Sequence, residues 1–377
     1  MLNFLRQLLK PKYTTLNQIE IKAEAIVANY NYLKSLQPSA AIFPVLKANA
    51  YGHGLKEISS ILNQTSAPLV AVDSFPEAQI AARYFKGRIL ILNEMPLRAY
   101  RYSHFSRTEF VVYNQATLRY LSRFGYKVKI HLFVNSGMNR EGIQNLESFI
   151  AQNKVYLDRV EVTGLCSHLS SAEENSSMNK RQAEHFARSL EILRAAGYYP
   201  RWVHLGNSAA VFTLHSPLLT AYRPGLALYG YSPFASPIGA SSLRPALQIY
   251  SHVVSTQELK AGEGVSYNES YRAPAPLRIA VIPFGYFEGL DRRLSNRANF
   301  LVKTKATEFW APIAGKVCMN LCCLMVGPRE VAVGDIVQIV SDKAEDPNSI
   351  PKIAEMMGTI PYEFLVKLQA NIRREVI

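Results

Sequence analysis

Leu69-Val70-Ala71-Val72-Asp73 and Ile89-Leu90-Ile91-Leu92-Asn93 bracket a more polar stretch, 77–85, in which apolar residues recur every three or four positions. A short continuous apolar run, an amphipathic helical stretch and a second apolar run together make a βαβ unit, with strands buried on both faces. Working outward, equivalent runs occur at 42–47, 110–113, 128–135, 160–168, 202–207 and 222–230, and a longer helical pattern fills 180–196. Eight successive units predict an α/β fold, a closed (β/α)8 barrel of the TIM type. Reactive groups in such barrels gather where strands end, and Lys47, Asn135, His168, Ser208 and Arg223 fall at those ends.

Beyond residue 244 the texture changes to short alternating runs broken by Gly and Pro, at 250–257, 279–284, 307–313, 316–326 and 335–340. These predict a second, mainly β domain that closes with a short helix from 353 and a final strand. The expected division is a barrel over 12–243 and a β domain over 244–377, to which an N-terminal segment can contribute. The Ser-, Pro- and Gly-rich stretch 232–243 is the expected junction.

With 377 residues and 48% apolar content, the chain can bury a large core. Its net charge of +13 comes without a dense basic run. Arg292-Arg293 and Arg373-Arg374 are not interleaved with aromatics, so no nucleic-acid stacking platform is expected. Cys166, Cys318, Cys322 and Cys323 lack paired metal-ligand spacing and read as reduced core thiols, with no metal site. The N-terminal stretch 1–13 carries Arg6 and Lys10 and no small-residue cleavage pattern, so a signal peptide is not expected. No apolar run approaches the roughly 20 residues of a spanning helix, so a cytoplasmic protein with no membrane partner is expected.

The strongest local signal is Val45-Leu46-Lys47-Ala48-Asn49-Ala50-Tyr51-Gly52-His53-Gly54. A lysine that ends an apolar strand beside small residues suits covalent attachment of an aldehyde cofactor. This decapeptide resembles the attachment motif of the alanine racemases, which depend on pyridoxal 5′-phosphate, and the resemblance extends along the whole chain. It implies that Lys47 holds the cofactor and acts as acid and base on one face of the substrate Cα. Racemisation needs a second such group on the other face. Tyr267, in Val265-Ser266-Tyr267-Asn268-Glu269, matches it, and His168, in Cys166-Ser167-His168, matches the histidine linked to it. Taken alone, the tyrosine reads as packing and the histidine as a hydrogen-bonded strand terminus.

By the same resemblance Arg223, in Tyr222-Arg223-Pro224-Gly225-Leu226, contacts the pyridine nitrogen. A permanently charged guanidinium disfavours protonation there, weakens the ring as an electron sink and favours return of the proton to Cα over transamination. Tyr51, Ser208, Tyr362 and the backbone at Gly225 and Leu226 match the phosphate-binding groups; Ser208 reads equally as a helix cap. Arg140 and Met319 match residues that hold the substrate carboxylate, and Tyr286 and Tyr362 match tyrosines that narrow access. In this family Tyr267, Met319 and Tyr286 reach across from a second subunit. A head-to-tail homodimer with shared sites is therefore implied, acting on a small amino acid and supplying D-alanine for peptidoglycan precursors.

Some positions depart from the pattern. Phe133 stands where many alanine racemases carry a carbamylated lysine that pairs with the substrate-binding arginine, and Asn135-Ser136 and Asn320 replace more typical acidic residues. Arg140 must then be oriented by another group, a bound anion or Asn135. These asparagines resemble broad-specificity amino-acid racemases acting on serine or lysine, the principal alternative. A decarboxylase of the ornithine type would require a carboxylate at the pyridine nitrogen in place of Arg223, and a non-catalytic carrier of the cofactor would lack the β domain.

Overall fold

The computed structural model describes residues 15–124, 128–174, 176–234 and 242–377. The stretch 1–13, and most of the expected junction, lie outside the described residues. The chain divides into two compact units, one of Ile21–Ala246 with Val376–Ile377 and one of Leu247–Glu375 with the segment that ends at Glu20.

In the first unit six parallel strands pair in chain order: Leu69–Val72, Arg88–Ile91, Thr108–Val112, Lys129–Phe133, Glu161–Cys166 and Trp202–His204. Ala41–Ile42 and Ala221–Tyr222 pair with each other, also in parallel. Backbone bonds tie this pair to both edges of the six. On one side Ala71 N–H donates to Pro44 O at 2.8 Å and Leu46 N–H to Ala71 O at 2.7 Å; on the other Thr220 N–H donates to Val203 O at 2.9 Å and Arg223 N–H to Gly206 O at 2.8 Å. The eight strands thus close into the (β/α)8 barrel that the repeated units predict.

Local chemistry accounts for the elements. Leu69–Val72 and Thr108–Val112 are buried at every residue, the signature of parallel strands covered on both faces. Helix Ser177–Ala195 starts where Ser176 accepts the Met178 N–H, and it buries Phe186, Leu190 and Leu193 along one stripe. Cys166 and Cys322 are buried free thiols, and burial raises both; Cys166 is pushed up to about 12.

The second unit is mainly β. Glu308–Pro312, Asn299–Lys303, Ile336–Val340, Leu247–His252, Gln18–Ile21 and Arg373–Val376 form one sheet in that order. Ser255–Leu259, Leu277–Ile282 and Cys322–Gly327 form an antiparallel second sheet. Alternate residues are buried in Leu247–His252 and Cys322–Gly327, as one-sided packing requires. Helices Ile350–Met357 and Pro361–Lys367 precede the last strand.

Several local expectations need correction. The run 222–230 is a strand only at Ala221–Tyr222, because Pro224 has no N–H for a ladder; it continues as the 3-10 turn Leu226–Tyr229. The run 250–257 is two strands broken near Val253, and 316–326 is strand only from Cys322. Lys47 does not end a ladder strand. It opens the single turn Lys47–Tyr51, whose residues Ala48, Asn49, Ala50 and Tyr51 all take positive φ of 51–54°. Such a run of left-handed residues is costly. Asn49 Oδ1 helps hold it by accepting the Leu55 N–H at 2.9 Å.

Candidate active site

The residues singled out in the barrel unit converge on the ends of its strands. Lys47 is exposed just beyond Val45, which bridges to Ala71. Arg223 is buried one residue past Ala221–Tyr222, where its Nη1 donates to His204 Nδ1 and to His204 O at 2.8 Å, and its Nη2 donates to Ser167 O at 2.6 Å. Those bonds leave at least two of the five guanidinium N–H groups without a protein acceptor among the described residues. His168 follows the strand Glu161–Cys166. Burial first, and then the charges of Arg223, Arg140 and Lys47, push it down to about 3. Near neutrality it is an uncharged imidazole within reach of three cations.

Ser208 sits at the first position of helix Ser208–Thr213; the cap is Asn207, whose side chain accepts the Ala210 N–H at 3.2 Å. The cap reading of Ser208 is therefore corrected by one residue. Its hydroxyl accepts from Gly225 N–H at 2.9 Å and Ala227 N–H at 3.3 Å. The Tyr51 hydroxyl packs directly on Gly225, where any side chain would collide with it. Two hydroxyls and a cluster of backbone amides in one place suit a dianionic phosphate. A lysine amine lies at the same mouth, and a guanidinium with N–H to spare suits a ring-nitrogen acceptor. The residues present fit pyridoxal 5′-phosphate.

Arg140 follows Asn139, whose φ is +58°, and its guanidinium is taken by its neighbour: Nε and Nη2 bond the two oxygens of Glu141, the latter at 2.6 Å. Asn135 does not reach it. That side chain is occupied by its own loop, accepting from Gly137 N–H at 3.0 Å and Asn139 N–H at 3.1 Å and donating to Asn139 Oδ1 at 2.8 Å. The expectation that Asn135 orients Arg140 is thus corrected, since Glu141 is the side chain that the guanidinium bonds. The ring of Phe133 lies edge-on to Tyr113, 6.2 Å between centroids, and against Gly142.

Tyr267, Met319, Tyr286 and Tyr362 belong to the second unit. Its loops bring the first three together. Ser266 Oγ donates to Lys316 O at 2.9 Å, Tyr286 N–H to Cys318 O at 3.0 Å and Phe287 N–H to Met319 O at 2.8 Å. Gly285 permits that approach, since a side chain there would strike the carbonyls of Cys318 and Met319. Tyr267 is held out on a turn flanked by positive φ at Ser266 and Asn268. It is 64% exposed, Met319 56% and Tyr286 45%, an apolar patch of the kind that marks an interaction surface. Tyr362 is the second residue of helix Pro361–Lys367.

Sequence reasoning missed Glu141 and the buried Glu109, His131 and His204. An acid directly before the apolar run 110–113 is the available signal for Glu109. Among the described residues no cluster of His, Cys, Asp or Glu is placed to hold a metal, and no helix is long and apolar enough to cross a membrane.

Residues 21–233 match the family model for the N-terminal domain of alanine racemase, and residues 246–376 match that for its C-terminal domain. The alanine racemase of Citrifermentans bemidjiense is 32% identical over 95% of this chain and 97% of its own. Among solved structures, alanine racemase of Bacillus anthracis with bound L-Ala-P superposes with a TM-score of 0.89 at 28% identity, covering 97% of this chain and 96% of that one. Alanine racemase of Bartonella henselae with covalently bound pyridoxal phosphate gives 0.84 at 25% identity, covering 97% and 100%.

Proposed function

Because this chain belongs to the alanine racemase family, and is therefore an isomerase, we propose that it interconverts L- and D-alanine with pyridoxal 5′-phosphate held at the barrel mouth. The convergence of Lys47, the Ser208–Gly225–Ala227 cradle and the buried Arg223 at one set of strand ends is the observation that carries this reading. When bound, the cofactor supplies a conjugated electron-withdrawing ring that acidifies the Cα–H of an attached amino acid.

Lys47 is the attachment point, and its amine moves the proton at one face of Cα. Ser208, Tyr51, Tyr362 and the amides around Gly225 and Leu226 hold the phosphate. Arg223 keeps a positive charge against the ring nitrogen. The partner subunit's Tyr267 moves the proton at the opposite face, in keeping with its exposure on a strained turn. Arg140, steered by Glu141, binds the substrate carboxylate with the backbone of the partner subunit's Met319, and the partner subunit's Tyr286 limits substrate size. His168, neutral and partly buried, accepts a hydrogen bond without adding a fourth charge. The assembly is a head-to-tail homodimer acting in the cytoplasm, and its D-alanine feeds peptidoglycan precursors.

A second reading, a broader substrate range, is favoured by Phe133, Asn135 and Asn320 around the carboxylate end. Incubation with L-alanine, L-serine and L-lysine in D2O, following optical rotation and deuterium at Cα, separates the two. Alanine exchanging at least tenfold faster than the others supports the first; comparable rates support the second. Borohydride reduction and peptide mapping must place the pyridoxyl group on Lys47, and a label elsewhere overturns the assignment.

A further inference from the structure

A line of ionisable groups runs through the barrel core behind Arg223. His204, which receives Arg223 on Nδ1, has its Nε2 2.7 Å from His131 Nδ1, and His131 Nε2 lies 2.8 Å from Glu109 Oε2. Glu109 also accepts from Thr163 Oγ1 at 2.9 Å and pairs through its other oxygen with Arg88 Nε at 2.5 Å. Glu109 is 1% exposed, and both histidines are fully buried. Room for the His131 ring comes from Gly164, where a side chain would collide with it.

Only one set of proton positions satisfies this line. Arginine has no acceptor, so His204 Nδ1 must be bare and its proton must sit on Nε2. That proton points at His131 Nδ1, which must be bare in turn. His131 then carries its proton on Nε2 and donates to Glu109, which must be ionised. A proton added to either imidazole would set two N–H groups face to face. Burial, and then the charge of Arg223, hold His204 far below the ordinary range. Burial alone would raise Glu109, but His131, Arg88 and Thr163 outweigh it and hold the carboxyl down at about 2.

We propose that Glu109, His131 and His204 are positioning residues for Arg223: the buried carboxylate fixes both imidazoles as Nε2–H tautomers, so that His204 always offers a bare nitrogen to the guanidinium and holds its remaining N–H groups toward the ring nitrogen of the cofactor. This rests on the reading of Arg223 given above. A buried carboxylate seldom persists without such partners, and here it also sets the direction of every proton between itself and the mouth.

Histidine-selective 15N labelling of the apo-protein tests the tautomers without the cofactor. Two of the eight histidines, identified by loss of their signals in His131→Gln and His204→Gln, should be Nε2–H tautomers at neutral pH. An Nδ1–H or doubly protonated form at neutrality overturns the proposal. In the holoenzyme Glu109→Gln should lower kcat about tenfold with KM little changed, and should raise pyruvate release per racemisation turnover about tenfold as Arg223 loses its fixed placement. Thr163→Val, which removes one of the carboxylate's bonds, should shift the same ratio less and decides the matter if Glu109→Gln does not fold. Val111→Ala, a cavity in the same strand, should cost stability and leave the ratio alone. An unchanged ratio in the Glu109 and Thr163 variants, or an equal rise in Val111→Ala, overturns the proposal. Failure of the racemase reading looks different, because wild type would then exchange no Cα proton.

Discussion

Glu141 grips Arg140 through both carboxylate oxygens, Nη2 donating to Oε1 at 2.6 Å, and so holds the arginine expected to bind the substrate. Planar guanidinium and carboxylate match edge to edge, which fixes orientation as well as charge. The pair is partly exposed, 57% for Arg140 and 20% for Glu141, so its net worth is small, about 0.5–1 kcal/mol. Glu141→Gln should therefore raise KM for alanine about threefold and leave kcat nearly unchanged. Phe133 has no amine to carbamylate, so stripping the buffer of bicarbonate should not alter the wild-type rate. A bicarbonate-dependent rate would show that some other lysine carries the orienting charge.

Ser208 bonds two backbone amides at once, and its loss leaves Gly225 and Ala227 N–H without that acceptor. Ser208→Ala should weaken binding of pyridoxal 5′-phosphate about tenfold, the usual scale for a hydrogen bond to a charged group. Binding of pyridoxal, which has no phosphate, should change little. Equilibrium dialysis with the two compounds measures the difference, and equal weakening of both would remove Ser208 from the phosphate site.

Acid should destabilise the fold early. A histidine whose pKa falls from 6.5 when unfolded to about 3 in the native state takes up its proton first in the unfolded chain. Its contribution is complete above pH 6.5 and is lost as the pH drops toward 3; His204 acts with the same sign, and Glu109 follows between 4.5 and about 2. Each group adds a slope of up to about 1.4 kcal/mol per pH unit. Urea unfolding at fixed protein concentration should show stability falling from pH 6.5 to 4.5, with a shallower fall in His168→Gln. A flat profile in wild type would contradict these native-state protonations.

The barrel was legible because its strands are buried on both faces, which writes them as largely apolar runs such as 69–73 and 110–113. The turn at Lys47 was not, since Ala48, Asn49 and Ala50 carry no pattern that announces left-handed backbone, and only tertiary bonds such as Asn49 to Leu55 hold it. Lys47, Ser208 and Arg223 could be found because a short motif surrounds each. Glu109, His131 and His204 sit on three separate strands, and nothing in one dimension pairs them. Glu141 is not legible in the sequence because its pairing with Arg140 depends on the local backbone, where the positive φ of Asn139 precedes the turn that brings the two side chains together.

Subunit sharing of the active site has a numerical consequence. If Lys47 serves one site while Tyr267 serves the other, Lys47→Ala and Tyr267→Phe homodimers are each inactive, but a hybrid of the two holds one site with both defects and one with neither. Random reassortment makes half of the dimers hybrids, so an equal mixture, unfolded and refolded together, should recover about a quarter of wild-type activity. The exposed patch of Tyr267, Tyr286 and Met319 should become buried in the same assembly, which protection of Met319 from peroxide can report. If each site were built within one chain, every site in every hybrid would carry a defect. Mixing would then restore nothing, however well the dimers formed.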